Sequence, residues 1–443
     1  MSLYIQARYQ NEYLNWLKNV LEKNEMEKST EELFKERTKR VENAIQLKVP
    51  DRVPIWFQDL SFFPAKYTGI TFEEMMYDSG KLVAAYKKTI LDFEPDMYFD
   101  PSSAIRTPGA VLELLDCKQV KWPGHGIPAN ASFQYVEKEY MRADEYDAFI
   151  SDPIDFILRK YLPRVFGAFD PFKNLPSLMP FLGGSFGVPV ASEFVTPELT
   201  AAFMAFHKAG LGNLKHNNVI NTFNQEMKGL GFPLAFGSGG LPPFDLISDT
   251  LRGMRGAMLD MYRQPDKLLE AIEKVMPLQI ESAIARAKKS GNPGVLIAIH
   301  RGSDAFMSNK QFETFYWPGF KKLMLALIDA GLTPCPFFEG NCTSRLEYLT
   351  ELPRGKVLGL FDSTDIFKAK EILGNTMCIS GMFPVSLLQM GAPDQIKEYS
   401  KKLIDVVGKD GGFIMGPRSA MDEANPALVK VWFDYTKEYG QYR

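Results

Sequence analysis

The chain has 443 residues, with 51 Lys and Arg against 54 Asp and Glu and a formal net charge of −3. Apolar residues make up 45% and charged residues 24%, an ordinary globular composition that can bury a large core without disulfide or metal staples. The near-balanced charge, with no basic block, argues against a nucleic-acid partner.

In chain order, residues 1–50 read as an N-terminal helical extension. The opening MSLYIQARYQNEYLNWLKNVLEKNEMEK has no continuous apolar stretch of the signal-peptide kind, and Tyr13, Leu17 and Leu21 recur at the spacing of an amphipathic helix. No segment approaches the ~20 apolar residues that cross a bilayer. A cytoplasmic location is expected. The first strand is VPIWF (residues 53–57), after the turn-like Pro50-Asp51-Arg52. The second is MYFD (97–100) and the third SLMPFLGG (177–184). The rest are VLIAIH (295–300), TPCPFF (333–338), KVLGLFD (356–362), MCISG (377–381) and GGFIMG (411–416). Most are nearly continuous apolar runs, the pattern of parallel strands covered on both faces. Helical stretches separate them, with Leu323, Leu327 and Ile328 marking one apolar face and Ile396, Leu403 and Ile404 another.

Eight strands alternating with helices predict an α/β fold, a (β/α)8 TIM barrel, with an open doubly wound sheet as the alternative. Residues 102–176 and 225–260 break the repeat as long loop insertions. The Gly/Pro-dense run GLGFPLAFGSGGLPPFD (229–245) is expected to be an ordered loop, a lid or pocket wall. No linker divides the chain, so residues 1–443 are read as one domain. Cys117, Cys335, Cys342 and Cys378 fit no CxxC or zinc-finger spacing and are read as free, mostly buried thiols.

Catalytic groups of such a barrel project from the C-terminal strand ends and the loops after them. Those places hold Gln58 and Asp59, then Asp100, then His300, Arg301 and Asp304. Glu339, Asn341 and Arg345 follow, then Asp362 and Asp365, then Arg418. Asp365 precedes IFKAKEIL and suits a helix N-cap. His300 either takes part in chemistry or bonds a loop carbonyl. Glu339 follows Phe337 and Phe338, where a partly buried carboxylate needs a cation, a metal or a proton. It is either a functional group or one half of an ion pair with Arg345 or Arg301 that holds the loop. His300, Glu339 and Asp362 are ligand types for zinc or another divalent ion, if their side chains converge. Aromatic residues crowd these ends, among them Phe306, Tyr316, Trp317 and Phe337. A surplus beyond the core's needs suits a large flat ligand such as a corrinoid or an aryl ring.

Residues 39–57, 96–102 (DMYFDPS), 183–192 (GGSFGVPVAS), 355–375 and 377–396 together resemble the uroporphyrinogen-decarboxylase superfamily, which includes the decarboxylases and the cobalamin-dependent methyltransferases. The last is similar to the family's G-N-x-x-P-x-x-L-x-x-G, written here with Gly381, Met382, Phe383, Pro384, Leu387 and Gly391. The resemblance spans roughly residues 35–440 and implies the barrel and a homodimer. The decarboxylases' Arg-rich segment after strand one is replaced by Gln58-Asp59-Leu60-Ser61, and their strand-eight histidine by Pro417 and Arg418. Asp100 is kept, but a polyanionic porphyrinogen loses its cationic clamp. The zinc methyltransferases' H-x-C at strand five falls on Phe337 and Glu339, and their strand-eight cysteine near Pro417. Only Glu339 is ligand-capable, so a metal site would have to be rebuilt, from His300, Glu339 and Asp362.

The resemblance therefore implies a methyltransferase that moves a methyl group between a small methylated substrate and a corrinoid on a partner protein. Glu339, His300 and Asp100 are its expected catalytic residues. Asp59, Arg301, Asn341, Arg345, Phe337 and Arg418 are its expected substrate contacts. The alternatives are a porphyrinogen decarboxylase centred on Asp100 and a non-catalytic tetrapyrrole binder.

Overall fold

The computed structural model describes residues 28–57 and 61–442, so Tyr13, Leu17, Leu21 and Asp59 lie outside the described residues. The apolar runs of the C-terminal half form one parallel sheet. Its strands, hydrogen-bonded in chain order, are β1 (Ser238–Gly240), β2 (Gly294–Ile299), β3 (Thr333–Phe338), β4 (Leu358–Phe361), β5 (Cys378–Phe383) and β6 (Phe413–Pro417).

Two short extended segments close this sheet on itself. Residues 53–57 join β6 through Trp56 N to Met415 O (3.1 Å) and Met415 N to Pro54 O (2.8 Å). Residues 96–98 join that segment through Asp96 N to Ile55 O (2.8 Å). They reach the stretch leading into β1 through Tyr98 N to Pro233 O (3.1 Å) and Ala235 N to Tyr98 O (2.9 Å). The eight segments thus form a closed ring of backbone hydrogen bonds, the expected (β/α)8 barrel.

Period-two alternation sorts the core. Trp56, Ala235, Cys335, Leu360, Cys378 and Ile414 pack together inside the ring. Their neighbours Ile55, Val295, Phe338, Phe361, Ile379 and Met415 join the larger core beneath the helices. Fully burying one such side chain contributes about 1.5–3 kcal/mol. Helix α1 (Thr30–Ile45) begins with a capping box from Ser29 and Glu32 and lays Val41 and Ala44 against the interior layer. It plugs the N-terminal mouth. There Asp96, fully buried, accepts from Arg40 Nη1 (2.6 Å), Arg52 Nη1 (2.8 Å) and Ile55 N (2.8 Å).

The third strand is not where the apolar pattern placed it. Residues 177–184 belong to a chain of 3₁₀ turns, Met179–Phe186, with Leu182 81% and Phe186 93% exposed. Pro180 removes a ladder donor, and Gly184 (φ 60°, ψ −127°) breaks the extended path. The ring takes residues 233–240 instead, from the run expected to be loop. Glycine there permits close approach: a Cβ on Gly237 would lie 2.1 Å from Ser290 Oγ and 2.5 Å from Asn292 O.

Residues 102–176 fold into short helices and a small three-stranded sheet, Val120–Pro123, Gly126–Ile127 and Gln134–Tyr135. The long helix α2 (Pro197–Gly229) follows, packing Leu199 and Ala202 with Phe169 and Phe172 in a separate small core. The four cysteines are unpaired, and all but Cys117 are buried. Among the described residues no helix is long and apolar enough to cross a membrane.

Candidate active site

Strand parity fixes what reaches the C-terminal mouth. Cys335 and Phe337 face inward on β3, so Glu339, just past its end, continues that face. His300 follows Leu296 and Ala298 of β2 in the same way, and Asp362 follows Leu358 and Leu360 of β4. The register pairs Ile299 with Phe338 and Phe338 with Phe361, which sets His300, Glu339 and Asp362 abreast. His300 Nε2 lies 3.6 Å from Glu339 Oε1. The two side chains are 32% and 45% exposed, so this contact opens to solvent. Asp362 turns elsewhere. Its Oδ2 accepts from Gly340 N (3.2 Å), and its Oδ1 accepts from Ser363 Oγ (2.7 Å) and meets Arg418 Nε at 3.5 Å.

The other side of His300 is held by two aspartates that strand-end reasoning missed. Its Nδ1 lies 2.5 Å from Asp249 Oδ2. Its backbone N donates to Asp245 Oδ2 (2.9 Å), and Arg301 N donates to Asp245 Oδ1 (3.1 Å). The Tyr316 hydroxyl donates to the same carboxylate at 2.7 Å. Asp245 ends the turn Pro243–Asp245, and Asp249 lies in the π-helical turn Leu246–Arg252 that continues it. Residues four apart on such a turn share a face, and single π turns recur at functional sites. The available signal was PPFDLISD: two prolines fit to start a helix, then aspartates at i and i+4.

Electrostatics follow from this packing. Burial works against a charge on His300, but the bond to Asp249 and the charges of Glu339 and Asp245 outweigh it and raise the imidazole to about 9. Burial and then the charge of Asp249 push Asp245 up to about 7, opposed by His300 and the Tyr316 hydroxyl. Burial carries Tyr316 well above the usual phenol range, so it remains a donor. His300 thus has Nδ1 committed to Asp249 and Nε2 facing Glu339, surroundings that favour the protonated ring.

The remaining expected residues have definite places. Arg301 Nε donates to Ser248 Oγ (3.1 Å), lies 2.9 Å from Asp249 Oδ1, and its guanidinium sits over the Phe306 ring. Arg418 is half-exposed and donates to Ser363 Oγ (2.8 Å). Phe337 is half-buried at the inner wall. Asn341 is exposed, and its Oδ1 closes an Asx turn with Thr343 N (3.0 Å). Asp365 caps its helix as expected, accepting from Phe367 N (2.9 Å) and Lys368 N (3.1 Å).

Three expectations need correction. Arg345 is 1% exposed and turns its guanidinium to Gly302 O, Met307 O and Asn309 Oδ1, so it holds the loop after β2. Asp100 shares the outward face of Tyr98, caps Ser102 N (2.7 Å) and accepts from Asn224 of α2, which also takes the Tyr98 hydroxyl. It is not brought to the His300–Glu339 contact. The expected metal trio is not assembled either: among the described residues no three His, Cys, Asp or Glu side chains come together to hold a metal ion. His300 Nδ1 is occupied by Asp249, and Asp362 by Ser363, Gly340 N and Arg418. This donor set does not fit zinc.

Comparison with known proteins is consistent with this architecture. The sequence model of uroporphyrinogen decarboxylase (URO-D) matches residues 216–439, half of the chain. A uroporphyrinogen decarboxylase from Syntrophotalea carbinolica is 25% identical over 145 residues, which cover 33% of this chain and 40% of that relative. A methyltransferase from Methanosarcina mazei superposes with a TM-score of 0.54 at 14% identity, covering 90% of this chain and 98% of that one. At that identity the likeness shows the fold.

Proposed function

Because the chain belongs to the uroporphyrinogen decarboxylase family, we infer that it is an enzyme whose chemistry lies at this mouth, and we propose that the chemistry is methyl transfer to a corrinoid. The observation that carries the proposal is His300 Nε2 facing Glu339 Oε1 across 3.6 Å at the strand ends, both side chains partly exposed, with Nδ1 held by Asp249. The corrinoid, carried by a separate protein, supplies a low-valent cobalt that accepts the methyl group as a second substrate. This chain's part is to bind the methylated substrate and supply a proton. As the methyl group departs, its bonding electron pair stays on the leaving atom, and the proton from His300 Nε2 neutralises it. Glu339 then helps reprotonate the imidazole from solvent. Phe337, half-buried at the inner wall, gives an apolar contact for the substrate body.

Decarboxylation of a porphyrinogen is less well supported. Arg301 and Arg418 each lean on a carboxylate of the chain itself, Asp249 and Asp362, and Asp100 is engaged with α2. A polyanion entering here would meet acidic groups without a free guanidinium pair among the described residues.

The test is to mix the purified protein with a reduced corrinoid protein and a panel of O-, N- and S-methyl compounds, and to follow the corrinoid spectrum. The proposal expects methylation with at least one class, and a loss of roughly 10²–10⁴ in rate in His300→Gln. No spectral change with any class would overturn it. The family likeness also implies a homodimer, which light scattering of the full chain tests.

A further inference from the structure

The segment between β1 and β2 places two carboxylates behind one imidazole, more than a structural histidine needs. Asp245, 0% exposed, receives the backbone N–H groups of both His300 and Arg301 and the Tyr316 hydroxyl. Those bonds fix the end of β2. Asp249 takes the ring itself, at Nδ1. Arg301 Nε lies 2.9 Å from Asp249 Oδ1 at an angle that makes no hydrogen bond, and that oxygen is buried without a hydrogen-bond partner. Asp249 is therefore held by charge on one oxygen and by the imidazole on the other.

We propose that Asp249 is a positioning residue for His300, keeping the ring turned and protonated so that Nε2–H is presented to the leaving atom, with Asp245 and Tyr316 fixing the backbone beneath it. The proposal rests on the reading of His300 as the proton donor. A carboxylate at Nδ1 sets both the ring's orientation and which nitrogen faces the cavity. The groups facing His300 decide its charge. Asp245 and Asp249 come from the turn before β2, Glu339 from the end of β3, and Tyr316 from the helical segment after β2. Arg301, next in the chain, opposes protonation, but its contact is with Asp249 and it also reaches toward Glu137 Oε2 at 3.7 Å. Three acidic side chains against one guanidinium favour the cationic ring, the direction found for His300.

A held proton serves a leaving atom that departs as an anion. An O-methyl ether fits. Its carbon–oxygen bond breaks, the electron pair remains on oxygen, the His300 proton bonds there, and the methyl group passes to the cobalt nucleophile. A quaternary ammonium leaves as a neutral amine, needs no proton, and would be repelled by the imidazolium.

The experiment is an imidazole ¹⁵N NMR titration of the full chain, whose four histidines make assignment by His300→Gln practical. In the native chain His300 is expected to titrate near 9. In Asp249→Asn its midpoint falls by roughly 1–3 pH units, and Asp249→Glu restores most of the fall, with circular dichroism unchanged in both. A midpoint near 6.5 in the native chain, or one that stays put in Asp249→Asn, overturns the proposal. The titration needs no substrate, so it fails or succeeds independently of the methyl-transfer reading. Where a methyl donor is found, O-methyl ethers should lose rate in Asp249→Asn with the alkaline limb of kcat/KM moving by the same interval. An unmoved limb would contradict the assigned role.

Discussion

Asp96 and Asp245 are both 0% exposed, one at each mouth of the barrel, and they behave oppositely. Burial raises both. Asp96 then meets the Arg52 and Arg40 guanidiniums and Ile55 N, which hold it below the usual carboxylate range. Asp245 has hydrogen-bond donors of comparable number, but the nearest charges include Asp249, and it rises to about 7. The closed mouth, plugged by α1, uses its carboxylate as a fixed anchor. The open mouth sets its carboxylate beside a second acid, which favours the protonated form. Partner charge, more than depth, separates an anchor from a responsive site.

The contrast can be broken at either end. The largest expected effect is on Asp96→Ala, which strands Arg40 and Arg52 without their shared anion. Urea unfolding should show a loss of about 3–5 kcal/mol. A loss under ~1 kcal/mol would mean that Asp51, which also bonds Arg40, suffices. Asp245→Asn should cost less, about 1–3 kcal/mol, because hydrogen bonds are weakened and no buried cation is orphaned.

The two carboxylates also predict opposite pH limbs. Asp96 is depressed, so its contribution is present above 3.8 and is lost as pH falls through its lower folded value. Asp245 is raised, so its contribution is full below 3.8 and is lost as pH rises through about 7. His300, raised from 6.5, extends the alkaline loss through about 9. Tm against pH should therefore fall on both sides, and Asp245→Asn should remove the loss between about 4 and about 7 and move the His300 limb downward through the lost charge beside it. The smallest effect is expected for Arg418→Ala, whose half-exposed pair with Asp362 contributes about 0–1 kcal/mol by denaturant unfolding.

These two mouths also differ in how legible they were. VLIAIH and KVLGLFD declare themselves as strands because both faces are buried. The strand-end rule then found His300, Glu339 and Asp362 together, since register and parity carry all three to one rim. The third strand escaped because LAFGSGG is built for close backbone approach and carries no apolar alternation, while the exposed apolar run 177–184 imitated one. That single misplacement also hid Asp245 and Asp249, which follow the true third strand. Parity would have turned Asp100 outward with Tyr98. Nothing in the sequence distinguishes Arg345, whose guanidinium is satisfied by carbonyls of a loop more than thirty residues earlier.

The central claim is that the open mouth presents a proton on His300. The rate of corrinoid methylation against pH tests it most directly. The account predicts activity maintained through neutrality and lost as pH rises through about 9, with that limb abolished in His300→Gln. A rate that already declines near 6.5, or one that His300→Gln leaves intact, would contradict it.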